Sequence, residues 1–326
     1  MITKLKNTYI RNKNINLLFK LYYLILFLLT SSVLISLILS NNVYNKEIKD
    51  LNFKNLSSDG SKNSIEGLYT VKLFEENKLA SQINIDQIRK TKIVPNLILA
   101  KLPSDLKNVK SVQTRKEIFI KIALPLIIKE NEKLDKINKK LKIIKNKIDH
   151  LSREDALWIS DLMSEYDEYS INHLLLKVDA IPVSLALAQA VIESGWGTSR
   201  FAYEGNALFG QYVWDNKTDG IIPNERSIDA KYKIKSFSSL RDSVASYMKN
   251  LNTNHHYDEF RINRYVMRSN EIPLDGAYLA DYLYNYSIEK DYPVKIKNII
   301  RMNNFLDFEN LIIDKNSFPK ETVDII

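Results

Sequence analysis

The sequence predicts a mainly α fold (α+β), a helical body carrying a small β lobe, behind an N-terminal transmembrane helix. Three observations predict it. Apolar residues recur at helical spacing through much of 120–308, one stretch at 208–237 alternates like strands, and residues 21–40 form an uncharged apolar run. The chain has 326 residues, enough for one sizeable domain with attachments. It has no cysteine, which excludes disulfides, thiolate metal sites and cysteine nucleophiles. Its 47 basic and 39 acidic residues leave a net charge of +8, spread along the chain with no nucleic-acid-binding motif. Nucleic acid is therefore not an expected partner.

Residues 1–20 form a basic tail with Lys4, Lys6, Arg11, Lys13 and Lys20, and the first acid is Glu47. About 20 apolar residues cross a bilayer, and flanking positive charge keeps that end cytoplasmic. A cleaved signal peptide has a shorter apolar core and small residues at its cleavage site, where this chain has the bulky Ile38. An uncleaved single-pass anchor at 21–40 is the reading taken, with everything beyond it outside the cytoplasm. Residues 41–92, rich in Asn, Lys, Ser and Asp, read as a tether.

Residues 93–151 read as an extended arm and a long amphipathic helix. Leu134, Ile137, Leu141, Ile144, Ile148 and Leu151 form an apolar seam that Ile120, Leu124 and Ile127 continue upstream, with Asn131 as a polar interruption and Pro125 as a kink. Two explanations stand for that seam: a helix lying on its own domain, or a homodimer through 120–151. Residues 152–308 read as the main folded domain and 309–326 as a C-terminal tail. Ser152 starts a helix with Asp155 in the capping-box position, and Ser239 starts another with Asp242. Asp219-Gly220 reads as a hairpin turn, and two further helices are expected at about 274–286 and 293–308.

Within that domain the stretch Ala188–Gln211 carries the chemistry. Leu185, Ala188, Val191 and Ile192 have helical spacing behind Pro182, and Gly195 and Gly197 supply left-handed conformations that end a helix. Glu193 then lies at the negative end of the helix dipole beside Trp196, and both neighbours favour a protonated carboxyl. A carboxyl neutral near pH 7 can protonate a glycosidic oxygen.

The segments AQAVIESGWGTSRFA at 188–202, GNALFGQYVW at 205–214, SVASYMKNLNTN at 243–254 and YLYNYSIEKDYPVKIKNIIRMNNF at 282–305 resemble the Bax-like glucosaminidases, relatives of glycoside hydrolase family 73. The resemblance implies a lysozyme-like helical domain with a small β-hairpin lobe. It also implies a peptidoglycan hydrolase, an endo-β-N-acetylglucosaminidase cutting β-1,4 bonds of cell-wall glycan with Glu193 as general acid. Its setting would be the bacterial inner membrane, with the catalytic domain periplasmic or otherwise extracytoplasmic. A second carboxylate is expected from the lobe, where Asp215, Asp219, Glu225 and Asp229 are available; Glu225 matches the family's lobe Glu best. In the closing motif a tyrosine placed like Tyr286 lies near the catalytic Glu, so Tyr286 joins Glu193 and Glu225 as a catalytic candidate. That motif reads YSIEKDY where the family more usually has Y-A-T-D-P-x-Y. Its last residue, Tyr292, is placed with the substrate-binding residues.

Trp196, Phe209 and Trp214 can stack on sugar rings, while Gln189, Asn206 and Gln211 can bond acetamido and hydroxyl groups. Trp196 has a second reading as the apolar wall of Glu193, and Gln189, one turn earlier, as its tether. The four histidines form no triad or metal pattern, so neither metal nor cofactor is expected. A lytic transglycosylase and a non-catalytic glycan-binding scaffold are the alternative readings.

Overall fold

The computed structural model describes residues 84–103, 106–224, 226–227 and 230–314. The basic tail, the apolar run at 21–40 and the tether up to residue 83 lie outside the described residues, as do Glu225 and Asp229. Among the described residues, no helix is long and apolar enough to cross a membrane.

Helix α1 (Ile85–Thr91) is capped by Asn84, whose side chain accepts from the Asp86 and Gln87 amides. This helix falls at the end of the stretch read from sequence as tether. It is held by Arg89, which donates to the Asn303 and Asn304 carbonyls and pairs with Asp307 at 2.8 Å. Strand β1 (Ile93–Pro95) runs parallel to β5 (Ile312–Asp314), in the register Ile93↔Ile312. The two ends of the domain are thereby joined, and part of the expected C-terminal tail is a strand.

The long helix α2 (Val112–Lys145) starts at the Ser111 cap and continues through Pro125. Its seam is covered by its own chain: Leu124, Ile127, Leu134, Leu141 and Ile144 are buried, and α2 packs on α4 (Ile171–Lys177), α5 (Val183–Ser194) and α7 (Leu240–Thr253). That surface is already spent, so the structure gives no support to a dimer through it. The helix also stops short of the expected 151, and Ile148 lies exposed in a 3-10 turn. Asn131, the polar interruption, donates to the Ile181 carbonyl at 2.7 Å and accepts from the Ile181 amide at 2.9 Å. Asn138 similarly donates to the Val178 carbonyl at 2.6 Å. These buried amides fix the loop that leads into α5, satisfying backbone groups that would otherwise be orphaned.

Helix α5 is the centre of the domain, with every residue from Val183 to Val191 buried. A helix apolar on all sides must be surrounded, and α2, α9 (Gly276–Leu279), α10 (Tyr292–Met302) and the turn Phe305–Phe308 do this. Pro182 gives α5 no side-chain cap, and Glu309 supplies one from 126 residues away. Its carboxylate accepts from the Val183 and Ser184 amides at 3.1 and 2.9 Å and from the Ser184 hydroxyl at 2.6 Å. Gly276 lets α9 press onto this end of α5, since a Cβ there would strike Ser184 and Leu185.

Helix α3 (Arg153–Glu165) begins at Ser152 and α7 after Ser239, both as the caps predict. Helix α8 (Asp258–Ser269) is absent from the apolar pattern because two arginines, Arg261 and Arg264, occupy its buried face. Arg264 is completely buried and donates to the Leu176, Asp179 and Ala180 carbonyls and to Asn252, closing the end of α4. The helix expected at 274–286 is α9 followed by a 3-10 turn at Ala280–Tyr282, so Tyr278, Tyr282 and Tyr286 do not share one helix. Helix α10 likewise ends at Met302, because Asn304 takes a left-handed conformation.

The β lobe has three short strands, β2 (Tyr212–Val213), β3 (Gly220–Ile221) and β4 (Lys233–Lys235), in the order β2-β4-β3 and antiparallel. Asp219-Gly220 is therefore not the turn of a hairpin between neighbouring strands. Gly220 stands inside β3 opposite Lys235, where a Cβ would come within 2.8 Å of the Ile234 carbonyl oxygen. The helix α6 (Arg200–Gly205) leads from α5 to this lobe.

Candidate active site

Glu193 lies in the last turn of α5, and the chain then reverses through three consecutive left-handed residues: Gly195, Trp196 and Gly197, with φ of 57°, 59° and 73°. Gly195 and Trp196 both return their amides to the Val191 carbonyl. The Ser194 hydroxyl accepts from the Gly197 amide at 2.9 Å. Gly197 is required by space as well as by φ, because a Cβ there would meet Phe119 of α2 at 2.8 Å. The Gly-Trp-Gly turn thus locks the acid-bearing end of α5 to α2.

The two oxygens of Glu193 have different surroundings. Oε1 accepts a hydrogen bond from the Tyr292 hydroxyl at 2.8 Å. Oε2 faces Gly210, whose φ of 58° favours glycine and where a Cβ would sit 2.8 Å away, so a larger residue here would displace the carboxyl. Burial pushes the Glu193 carboxyl up to about 7; the Tyr292 hydrogen bond opposes this and the Glu289 charge adds to it. The shift predicted from sequence is present, with desolvation as its leading cause.

The structure changes the parts played by the neighbours. Trp196 packs edge-on against Phe119 and Phe305, at 6.0 and 6.2 Å, with the Lys116 ammonium 4.8 Å from its ring centre. Tyr292, placed from sequence among substrate-binding residues, is the residue that holds Glu193, and it is buried. The Tyr286 hydroxyl is used by the Phe209 carbonyl at 3.1 Å, while its ring stacks on Tyr292 at 5.4 Å with planes 5° apart. Tyr286 backs the residue that touches the acid; no hydrogen bond joins it to Glu193.

Gln189 is wholly buried and accepts from the Tyr247 hydroxyl at 2.7 Å while donating to the Tyr292 hydroxyl at 3.2 Å. It bonds the tyrosine that holds Glu193, not the carboxyl itself, and offers nothing to a sugar. Phe209 is also core, stacked face to face on Tyr247 at 3.8 Å. Asn206 takes a left-handed conformation at the end of α6 and donates to the Phe237 carbonyl at 2.9 Å, joining α6 to the approach of α7. Gln211 is bonded through both ends of its amide to Ser246, at 2.8 and 3.2 Å.

Trp214 alone among the sequence-predicted substrate binders presents a largely free side chain, 66% exposed. Its ring lies 5.9 Å from Tyr212, itself 54% exposed, and Tyr212 meets Tyr232 at 5.0 Å. Tyr212 joins Trp214 as an exposed aromatic candidate, one that the sequence reading missed. The signal was available, since positions i and i+2 of an extended strand share a face. Its phenol is pushed up by burial first, then by Tyr232 and by the charge of Glu193.

Of the lobe carboxylates, Asp215 is bound into its own turn, accepting from the Lys217 and Thr218 amides at 2.9 and 2.6 Å and from the Thr218 hydroxyl at 2.8 Å. The Thr218 bonds hold it below the usual carboxylate range. Asp219 accepts the Ser236 amide through its backbone carbonyl. Glu225 and Asp229 lie outside the described residues. Among the described residues no group of three or more His, Asp or Glu is gathered for a metal ion.

Comparison with known proteins gives the following similarities. Residues 171–305 match the glucosaminidase family described as mannosyl-glycoprotein endo-beta-N-acetylglucosaminidase. The protein bax of Escherichia coli is 30% identical over 194 residues, covering 56% of this chain and 67% of that protein. A crystal structure of the catalytic domain of the autolysin Auto from Listeria monocytogenes matches 70% of this chain and 98% of its own, with 16% identity and a TM-score of 0.33.

Proposed function

We propose, from the premise that this chain belongs to the Bax-like glucosaminidase family, that it is a membrane-anchored peptidoglycan hydrolase. Its reaction is the endo-β-N-acetylglucosaminidase cleavage of β-1,4 bonds in cell-wall glycan. The observation that carries this reading is Glu193. It is a carboxyl raised to about 7, bonded through Oε1 to a buried tyrosine and close to a glycine through Oε2. Such a group is substantially protonated near neutral pH and can give its proton to a glycosidic oxygen.

In the reaction, the Glu193 proton passes to the bridging oxygen as the C1–O bond breaks, and the bond's electron pair leaves with that oxygen as a hydroxyl. Water then adds to C1 and gives its proton to a carboxylate of the lobe. Glu225 is our candidate for that carboxylate. Trp214 and Tyr212 form the aromatic face on which a pyranose ring packs. The apolar run at 21–40 anchors the chain in the inner membrane, and residues 41–83 carry the domain toward the wall.

Glu193→Gln keeps the shape of the side chain and removes the proton. Release of reducing ends from purified peptidoglycan is expected to fall by roughly 10²–10⁴-fold, with the circular dichroism unchanged. Retained activity would overturn the assignment. Mass spectrometry of the products reads reducing N-acetylglucosamine ends for hydrolysis, and anhydro ends would make the enzyme a transglycosylase.

A further inference from the structure

Gln189 stands one helical turn before Glu193 on the same face of α5, and both ends of its buried amide are engaged. The Tyr247 hydroxyl donates to Oε1 of Gln189, and Nε2 of Gln189 donates to the Tyr292 oxygen. A phenol carries one proton. With its oxygen accepting from Gln189, Tyr292 spends that proton on Oε1 of Glu193. Oε1 is then an acceptor, and the proton of a neutral Glu193 belongs on Oε2, the oxygen that faces Gly210.

We propose that Tyr247, Gln189 and Tyr292 form a directional positioning chain that keeps Tyr292 a donor to Glu193 and so fixes the catalytic proton on Oε2. This rests on the reading of Glu193 as general acid and adds which atom carries the proton and which residues put it there. Gln189 and Tyr247 are completely buried and act only through Tyr292. The polarity of the chain matters because a reversed Tyr292 would accept the acid proton on the inner side, away from the glycosidic oxygen. Packing reinforces it: Phe209 stacks on Tyr247 and Tyr286 stacks on Tyr292, so the rings at both ends of the chain are held. Helices α5, α7 and α10 each contribute one member or more, which ties the location of one proton to the packing of the domain.

The groups within electrostatic reach of Glu193 come from several elements. They are Tyr292 on α10, Glu289 in the turn before it, Tyr212 on β2, Tyr247 on α7, and Tyr257 and Tyr286 in neighbouring turns. Glu289 is paired with Lys295 at 2.5 Å, which makes Tyr292 the group that discriminates between the two forms of the carboxyl by direct contact.

The test uses Gln189→Met, which keeps an unbranched side chain of similar size and removes both bonds, and Tyr247→Phe, which removes one. In Gln189→Met the Tyr292 oxygen loses its donor and becomes free to accept from Glu193; in Tyr247→Phe the Gln189 amide loses the donor that orients it and can turn its oxygen to Tyr292, which then donates inward and accepts from Glu193. Either way the neutral form of the acid gains a partner. The Glu193 titration, followed by 13C-carboxyl NMR on the full-length chain and assigned by its loss in Glu193→Gln, is expected to move up by roughly 0.5 pH unit or more. The alkaline limb of kcat/KM follows it, and kcat falls roughly tenfold with KM unchanged. A purely structural role would lower the melting temperature and leave the titration in place. That result in folded Gln189→Met, or in Tyr247→Phe where the first variant does not fold, overturns the proposal. Failure of the functional reading looks different: Glu193→Gln still cleaves glycan although the titration moves as expected.

Discussion

Around Glu193 the hydroxyls of Tyr247, Tyr286 and Tyr292 and the amide of Gln189 are all hydrogen-bonded to protein, whereas on the β lobe Tyr212 and Trp214 leave more than half their surface in solvent. The first region consists of helices with stacked rings, including the pairs at 3.8 and 5.4 Å. The second consists of strands two or three residues long, whose acid Asp215 serves its own turn. The difference separates two tasks. A proton must be held at one atom, which requires a dry and fully bonded setting. A polymer must enter and leave, which requires surface that is still free to bind.

This contrast can be tested from its strongest consequence downward. Folded Glu193 holds its proton up to about 7, against 4.5 for the ordinary carboxyl. The folded state therefore binds more protons than the unfolded state between those two values, and stability falls as pH rises through that window. Glu193→Gln removes this loss. Chemical denaturation should find the variant more stable than the parent above pH 7, by up to about 3 kcal/mol less the value of the Tyr292 bond, with the gain disappearing below pH 4.5. A variant less stable than the parent at pH 8 would show that the buried Glu193 carboxylate does not cost stability.

The opposite end of the same helix gives a smaller effect. Glu309→Ala leaves two amides and the Ser184 hydroxyl at the start of α5 without their cap. Its expected cost is about 1–2 kcal/mol in urea denaturation, with a matching fall in activity only as the protein unfolds. The lobe should respond in the reverse manner. Trp214→Ala removes an exposed ring and is expected to leave the melting temperature within about 1 °C while raising KM for glycan roughly 3–10-fold. A large loss of stability in that variant would make Trp214 a packing residue and remove the contrast.

Local signals carried much of the architecture. Ser152 and Ser239 cap the helices they were expected to cap, and Pro182 with Gly195 bounds α5. These features act over a few residues, which is why spacing alone reveals them. The misassigned features depend on distant partners. Tyr278, Tyr282 and Tyr286 have the spacing of one helix, yet the helix ends early and Tyr286 goes to Phe209, 77 residues away in sequence. Trp196 follows Glu193 closely, but the left-handed turn swings it onto α2. Helix α8 escaped notice because its core-facing positions include two arginines whose partners are carbonyls elsewhere in the fold.

By itself the sequence determined that a carboxyl ends an apolar helix, that two glycines turn the chain immediately after it, and that the segments around it belong together. Those are properties of backbone conformation and burial tendency, written in the identity of adjacent residues. Which tyrosine holds the acid, which of its oxygens that tyrosine takes and which aromatic rings stay free were decided by tertiary structure. Hydrogen bonds and desolvation depend on where groups 99 and 103 residues apart come to rest, as Tyr292 does on Glu193 and Gln189, and sequence spacing carries no record of that meeting.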